Sequence, residues 1–83
     1  MADFKKLTDA ELEDYKVSGG WIYHNWKKGC FEVVNWQGDI IETGYSRTAA
    51  ENRCIDLGLR WEELSDEDLE ELREWLHDHG LRP

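Results

Sequence analysis

Eighty-three residues carrying 19 acids against 10 Lys and Arg give a net charge of −9. That length holds one domain, residues 1 to 83, and that charge excludes a general basic surface for gripping polyanions. The excess is local, because from Trp61 to Pro83 nine carboxylates face only Arg73 and Arg82, so seven of the nine net negative charges fall in the last third.

Thr8-Asp9-Ala10-Glu11 is a capping box, and Leu7 with Leu12 forms a hydrophobic staple around it. These predict a helix from about Asp9 to Val17, ended by Ser18-Gly19-Gly20. The pattern then turns to short aromatic and branched runs, Trp21 to Lys27, Cys30 to Trp36 and Ile40 to Tyr45. Turn signals at Lys28-Gly29 and Gln37-Gly38-Asp39 separate them, so a three-stranded antiparallel meander is expected. Alternation assigns Trp21, Tyr23, Phe31, Val33, Ile41 and Tyr45 to one face. Ile22, His24, Trp26, Val34, Trp36 and Ile40 fall on the other. Neither face is polar, so the second one is expected to be covered by helix 1 or 3, by a second copy or by a partner, with three helices of the same chain at hand for one small sheet.

A second capping box, Thr48-Ala49-Ala50-Glu51, predicts a helix from about Ala49 to Leu57 with Gly58 as its stop. Ser65 caps a third from about Asp66 to His79, whose first-turn acids suit the helix dipole and whose Gly80-Leu81 reads as a Schellman ending. The fold class is therefore α+β: helix, three-stranded antiparallel meander, helix, and an acidic amphipathic C-terminal helix.

On that last helix Leu69, Leu72, Trp75, Leu76 and His79 share a stripe, leaving Glu67, Glu70, Glu71, Glu74 and Asp78 outward. Seven carboxylates from Asp66 to Asp78 span about 18 Å, one per ~2.6 Å, within a factor of two of the charge spacing along duplex DNA. Such a helix suits a phosphate-binding groove. Trp21, Trp61 and Trp75 are placed for a thin core, whereas Trp26 and Trp36 flank the turns and, where exposed, act as interface anchors.

Catalytic and metal chemistry find no footing. His77 and His79 do not share a helix face, and His24, Cys30 and Cys54 lie in separate elements without ligand or CxxC spacing. No enzyme activity, cofactor or metal is expected, and the two cysteines read as reduced thiols. No apolar run reaches the ~20 residues of a membrane span and the first residues lack a signal peptide's apolar core, so a cytoplasmic protein without membrane contact is expected.

Phe31-Glu32-Val33-Val34, the Gln37-Gly38 turn, Thr43-Gly44-Tyr45-Ser46 and the helix opened by Arg47-Thr48-Ala49-Ala50-Glu51 resemble the second half of a double-stranded-RNA-binding domain. That resemblance implies a nucleic-acid module using Lys27, Lys28 and Arg47. The lysine cluster with which that family grips phosphates is replaced here by Arg47, Thr48, Ala49, Ala50 and Glu51, so direct nucleic-acid binding is not expected. In size, charge and lack of catalytic motifs the chain resembles the small acidic anti-CRISPR and anti-restriction inhibitors of phages. This implies a viral inhibitor acting in the host bacterial cytoplasm on a basic nucleic-acid-binding protein or complex, through Glu67, Glu70, Glu71, Glu74 and Asp78 with Trp26 and Trp36 as anchors. The chain is expected as a monomer or homodimer, and a homodimeric structural or antitoxin-like partner protein is the remaining alternative.

Overall fold

α1 (Asp9–Ser18) begins with the expected capping box: Thr8 Oγ1 accepts from Glu11 N–H at 3.3 Å while the Glu11 carboxylate accepts from Thr8 N–H at 3.5 Å. The structure, a computed structural model, describes residues 8 to 82, so Leu7, the outer half of the staple, lies outside the described residues. α1 buries no residue completely. It is docked through Tyr15, whose ring meets Trp21 at 5.9 Å and Trp36 edge-on at 6.1 Å. The Tyr15 hydroxyl donates to the Trp36 carbonyl and accepts from Trp21 Nε1–H at 3.1 Å. Gly19 makes this approach possible, because a methyl group there would overlap the Tyr15 ring.

The meander forms as read, from β1 (Gly19–Asn25), β2 (Cys30–Asn35) and β3 (Ile40–Tyr45), each antiparallel to the next. After α2 (Arg47–Asp56) comes a strand the sequence did not announce, β4 (Arg60–Leu64), which pairs parallel to β1 and makes a four-stranded mixed sheet in the order β3-β2-β1-β4. α3 (Asp66–Asp78) closes the described fold.

The hairpin register corrects the expected face assignment. Trp21 lies opposite Val34 and Ile22 opposite Val33, so the Trp21 face carries Val34 rather than Val33. A shift of one residue exchanges faces, and alternation within each strand cannot fix the register between strands. Two cores result, one on each side of the sheet. On one side α3 brings Leu69, Leu72 and Leu76 onto Trp21, Val34 and Leu64, with Tyr15, Trp36 and Trp75 around them. On the other, α2 brings Ala50 and Cys54 onto Ile22 and Val33, flanked by Phe31, Tyr45 and Trp61. Helices of the same chain therefore cover both apolar faces, with α2 rather than helix 1 or 3 on the Ile22 face.

α2 starts two residues earlier than predicted. Its cap is Ser46, whose hydroxyl accepts from Ala49 N–H at 3.2 Å, rather than Thr48. α3 starts and stops as read: Ser65 Oγ accepts from Asp68 N–H at 3.2 Å. At its end Leu81 N–H reaches the Leu76 carbonyl at 2.8 Å and Gly80 N–H the His77 carbonyl at 3.0 Å, the paired bonds of a Schellman ending. Leu81 then packs on the α3-side core.

Candidate functional site

With Leu69, Leu72 and Leu76 buried, α3 turns Glu67, Glu70, Glu74 and Asp78 outward, where all four are exposed and have no ion-pair partner among the described residues. Glu71, expected with them, is half-buried and engaged in contacts of its own. The two cations of this third of the chain share a surface cleft with Glu74 and Asp78 but are bonded to the β2–β3 turn. Arg73 Nε donates to the Gly38 carbonyl at 2.9 Å, and Arg82 donates to the Gln37 carbonyl and to Asp39 Oδ1, both at 2.6 Å. They fasten the C-terminal half of the helix to the β2–β3 turn, where Gly38 adopts φ +82 and a Cβ would crowd the Arg73 stem at 3.1 Å. The acids outnumber the cations by composition, and the two arginines are fixed on the turn rather than paired with Glu67, Glu70, Glu74 or Asp78.

The unforeseen β4 decides what surrounds Trp26. Because β4 runs parallel to β1, both strands end at the same edge of the sheet, so α3 begins beside the β1–β2 turn. Trp26 sits at that turn and is 76% exposed. One side of its ring rests on His24, with centroids 3.9 Å apart, and His24 in turn stacks on Phe31 at 4.2 Å. Two clefts flank the indole. One, of about 440 Å³, includes Tyr23, Asn25, Ile40, Asp66 and Glu70 in its lining, with Lys27 and Arg73. The other, of about 590 Å³, includes His24, Glu63, Ser65, Glu67 and Asp68. Between them the Tyr23 hydroxyl donates to Asp66, and that bond is the first reason its phenol is pushed up to about 12, aided by burial and by the Asp66 and Glu32 charges against Arg73.

Trp36 does not join this surface. It is half-buried on the α3-side core against Tyr15, which corrects its assignment as a second anchor on the same face as Trp26. The acids Glu63 and Asp66 and the residues Tyr23 and Asn25 were not singled out in the sequence. Trp26, Glu67 and Glu70 carried a signal, and their coming together follows from the parallel strand.

The small basic set Lys27, Lys28 and Arg47 is largely engaged. Lys28 Nζ lies 3.5 Å from the buried carboxylate of Glu32, and Arg47 pairs with Glu51 at 3.4 Å and with Glu63. Cys54 is buried on the sheet-facing side of α2, which pushes its thiol above the ordinary range, and Cys30 is half-buried; neither is in a disulfide. Among the described residues no group of three or more His, Cys, Asp or Glu is placed to hold a metal ion, and no helix is long and apolar enough to cross a membrane. Comparison of the chain with protein-family models, with curated proteins and with solved structures found no match.

Proposed function

We propose that this chain is a non-enzymatic protein-binding module that presents the outward face of α3 to a basic nucleic-acid-binding protein or complex and blocks its polyanion site, as phage-encoded anti-defence inhibitors do. The observation that carries the reading is the division of charge on α3. Glu67, Glu70, Glu74 and Asp78 are exposed and unpaired among the described residues, while Arg73 and Arg82 are bonded inward to the β2–β3 turn. A protein surface that is negative along one helix and backed by a rigid double core steers toward positive surfaces and disfavours nucleic acid. The fold itself does not specify function, so the weight rests on this face.

The test is capture from bacterial lysate with tagged protein beside a variant carrying Glu67→Gln, Glu70→Gln, Glu74→Gln and Asp78→Asn, eluted by a salt gradient. The expected result is a nucleic-acid-binding protein retained by the wild type alone, released early by salt and displaced by duplex DNA. Retention that is equal for both proteins, or indifferent to salt and to DNA, would sink the reading. Direct gel-shift of duplex RNA or DNA by the purified chain would replace it with a nucleic-acid module.

A further inference from the structure

We propose that the paired clefts around Trp26 are the anchor point of this surface and take an arginine side chain from a basic protein segment, its guanidinium stacked on the open side of the indole and forked onto a carboxylate of the α3 first turns. This deepens the reading of α3 as a face for a basic partner and rests on it. The rest of the α3 stripe is charge without apolar relief; here an aromatic surface and carboxylates meet.

Three observations select the site. Trp26 is 76% exposed on a chain whose other tryptophans are packed at least in part into the two cores. Its ring is held in place by the His24 and Phe31 rings behind it, so little ordering is left to be done on binding. On either side lie clefts that contain Glu70 and Glu67, exposed carboxylates with no ion-pair partner among the described residues.

The chemistry of the occupant follows from that combination. An aliphatic partner would cover the indole at the cost of drying the carboxylates. A nucleobase would stack, yet its phosphates would face Glu63, Asp66, Glu67 and Glu70. A cation satisfies both the ring and the acids. Arginine fits better than lysine because its guanidinium is planar, weakly hydrated and able to stack and fork at once. Lys27, at the rim of the Tyr23 cleft, is the cation that opposes such a guest, since Arg73 is occupied by Gly38.

The experiment titrates 15N-labelled full chain with capped hexa-arginine, hexa-lysine and hexa-citrulline peptides, following the Trp26 indole N–H and the α3 amides. Hexa-arginine is expected to shift the Trp26 indole together with Ser65 to Glu70 and to bind about two- to thirtyfold more tightly than hexa-lysine, with hexa-citrulline inert. Trp26→Ala removes the arginine preference, whereas Trp26→Phe keeps part of it. Lys27→Gln tightens binding, the opposite of what a phosphate site would show. Equal binding of arginine and lysine peptides, or shifts centred on Glu74 and Asp78, would overturn the proposal.

The two readings separate through the captured partner. A partner lost by Glu74→Gln with Asp78→Asn but kept by Trp26→Ala leaves the acidic face standing without this anchor. One lost by Trp26→Ala yet indifferent to salt and DNA leaves the anchor standing without polyanion blockade. Unchanged circular dichroism of Trp26→Ala keeps either loss from being a folding defect.

Discussion

Replacing Tyr15 by Phe tests whether one hydroxyl holds α1 to the body. The ring stays, so its contacts with Trp21 and Trp36 are kept, and what is lost is the bond donated to the Trp36 carbonyl and the bond accepted from Trp21 Nε1–H. At about 0.5 to 1.5 kcal/mol net for each, the change costs about 1 to 3 kcal/mol. A chain of 83 residues has about 4 to 12 kcal/mol in all, so the melting temperature should fall by about 5 to 20 °C. The hydroxyl also carries a pH signature. Burial pushes its phenol from 10.0 up to about 12, against the smaller opposing effect of the Trp21 hydrogen bond. A folded value above the unfolded one means that this contribution is complete below pH 10 and is lost as pH rises from 10 toward 12. Tyr15→Phe lacks that titration, so the gap between wild type and variant should be widest near pH 7 and narrow above pH 10. Urea unfolding followed by tryptophan fluorescence at pH 7 and pH 10.5 reads both effects, and amide exchange in Glu11 to Ser18 reports α1 itself. A loss under about 0.5 kcal/mol with unchanged exchange in α1 would refute the reasoning.

Three further outcomes are expected. Leu72→Ala empties a fully buried site between α3 and the sheet and should cost about 2 to 5 kcal/mol in urea unfolding, because the rigid sheet limits collapse of the cavity. Glu32 is fully buried on central β2; burial works to raise its carboxyl, but the Thr43 hydroxyl, the Asn25 amide at 2.8 Å and the Lys28 ammonium overcome this and hold it below the ordinary range. A depressed folded value stabilises above the unfolded value and is lost on acidification, so Glu32→Gln should be less stable near pH 7 and should approach wild type as pH falls through and below about 4.5; a constant gap would contradict this. Trp26→Ala should change stability by no more than about 0.5 kcal/mol despite the size of the residue removed, since the ring is mostly in solvent, and thermal melts check it.

What the sequence made legible is the chemistry that acts within a few residues. The Thr8 box, the Ser65 cap, the Gly80-Leu81 ending and the two turns of the meander are local hydrogen-bond problems with local solutions, and each appears in the structure. The misplaced start of α2 shows the limit: Ser46 and Thr48 are both competent caps, and nothing local chooses between them. Starting from Ser46 fits a strand that ends at Tyr45 and places Ala50 and Cys54, four apart, onto Ile22 and Val33. β4 was illegible for a similar reason. Arg60-Trp61-Glu62-Glu63-Leu64 has adjacent acids and no clean alternation, and what makes it a strand is pairing with β1 some forty residues away. The surroundings of Trp26 depend on that pairing, so Trp26, Glu67 and Glu70 were each readable while their proximity, and the part played by Glu63 and Asp66, were not. Trp36 was misplaced for the same register reason: with Val34 opposite Trp21, the end of β2 turns Trp36 to the α3 side, where Tyr15 meets it.

The placement of cations is what turns an acidic composition into an acidic face. Arg53 is fixed on Glu42 at 2.7 Å, Arg47 on Glu51 and Glu63, Lys28 on Glu32, Lys16 on Glu13, and Arg73 and Arg82 on the β2–β3 turn. The exposed pairs among these each contribute only about 0 to 1 kcal/mol, so stability alone gives little reason for so many. Their collective effect is on the field. Each fixes a counter-charge in a contact other than an ion pair with Glu67, Glu70, Glu74 or Asp78, leaving Lys27 and Arg60 as the cations with no pairing in evidence among the described residues. A helix carrying the same acids beside mobile lysines would be neutralised within a screening length of about 8 Å. Here Glu67, Glu70, Glu74 and Asp78 keep their field, and Lys27 stands where it can oppose a cationic guest at Trp26 without cancelling the rest of the helix.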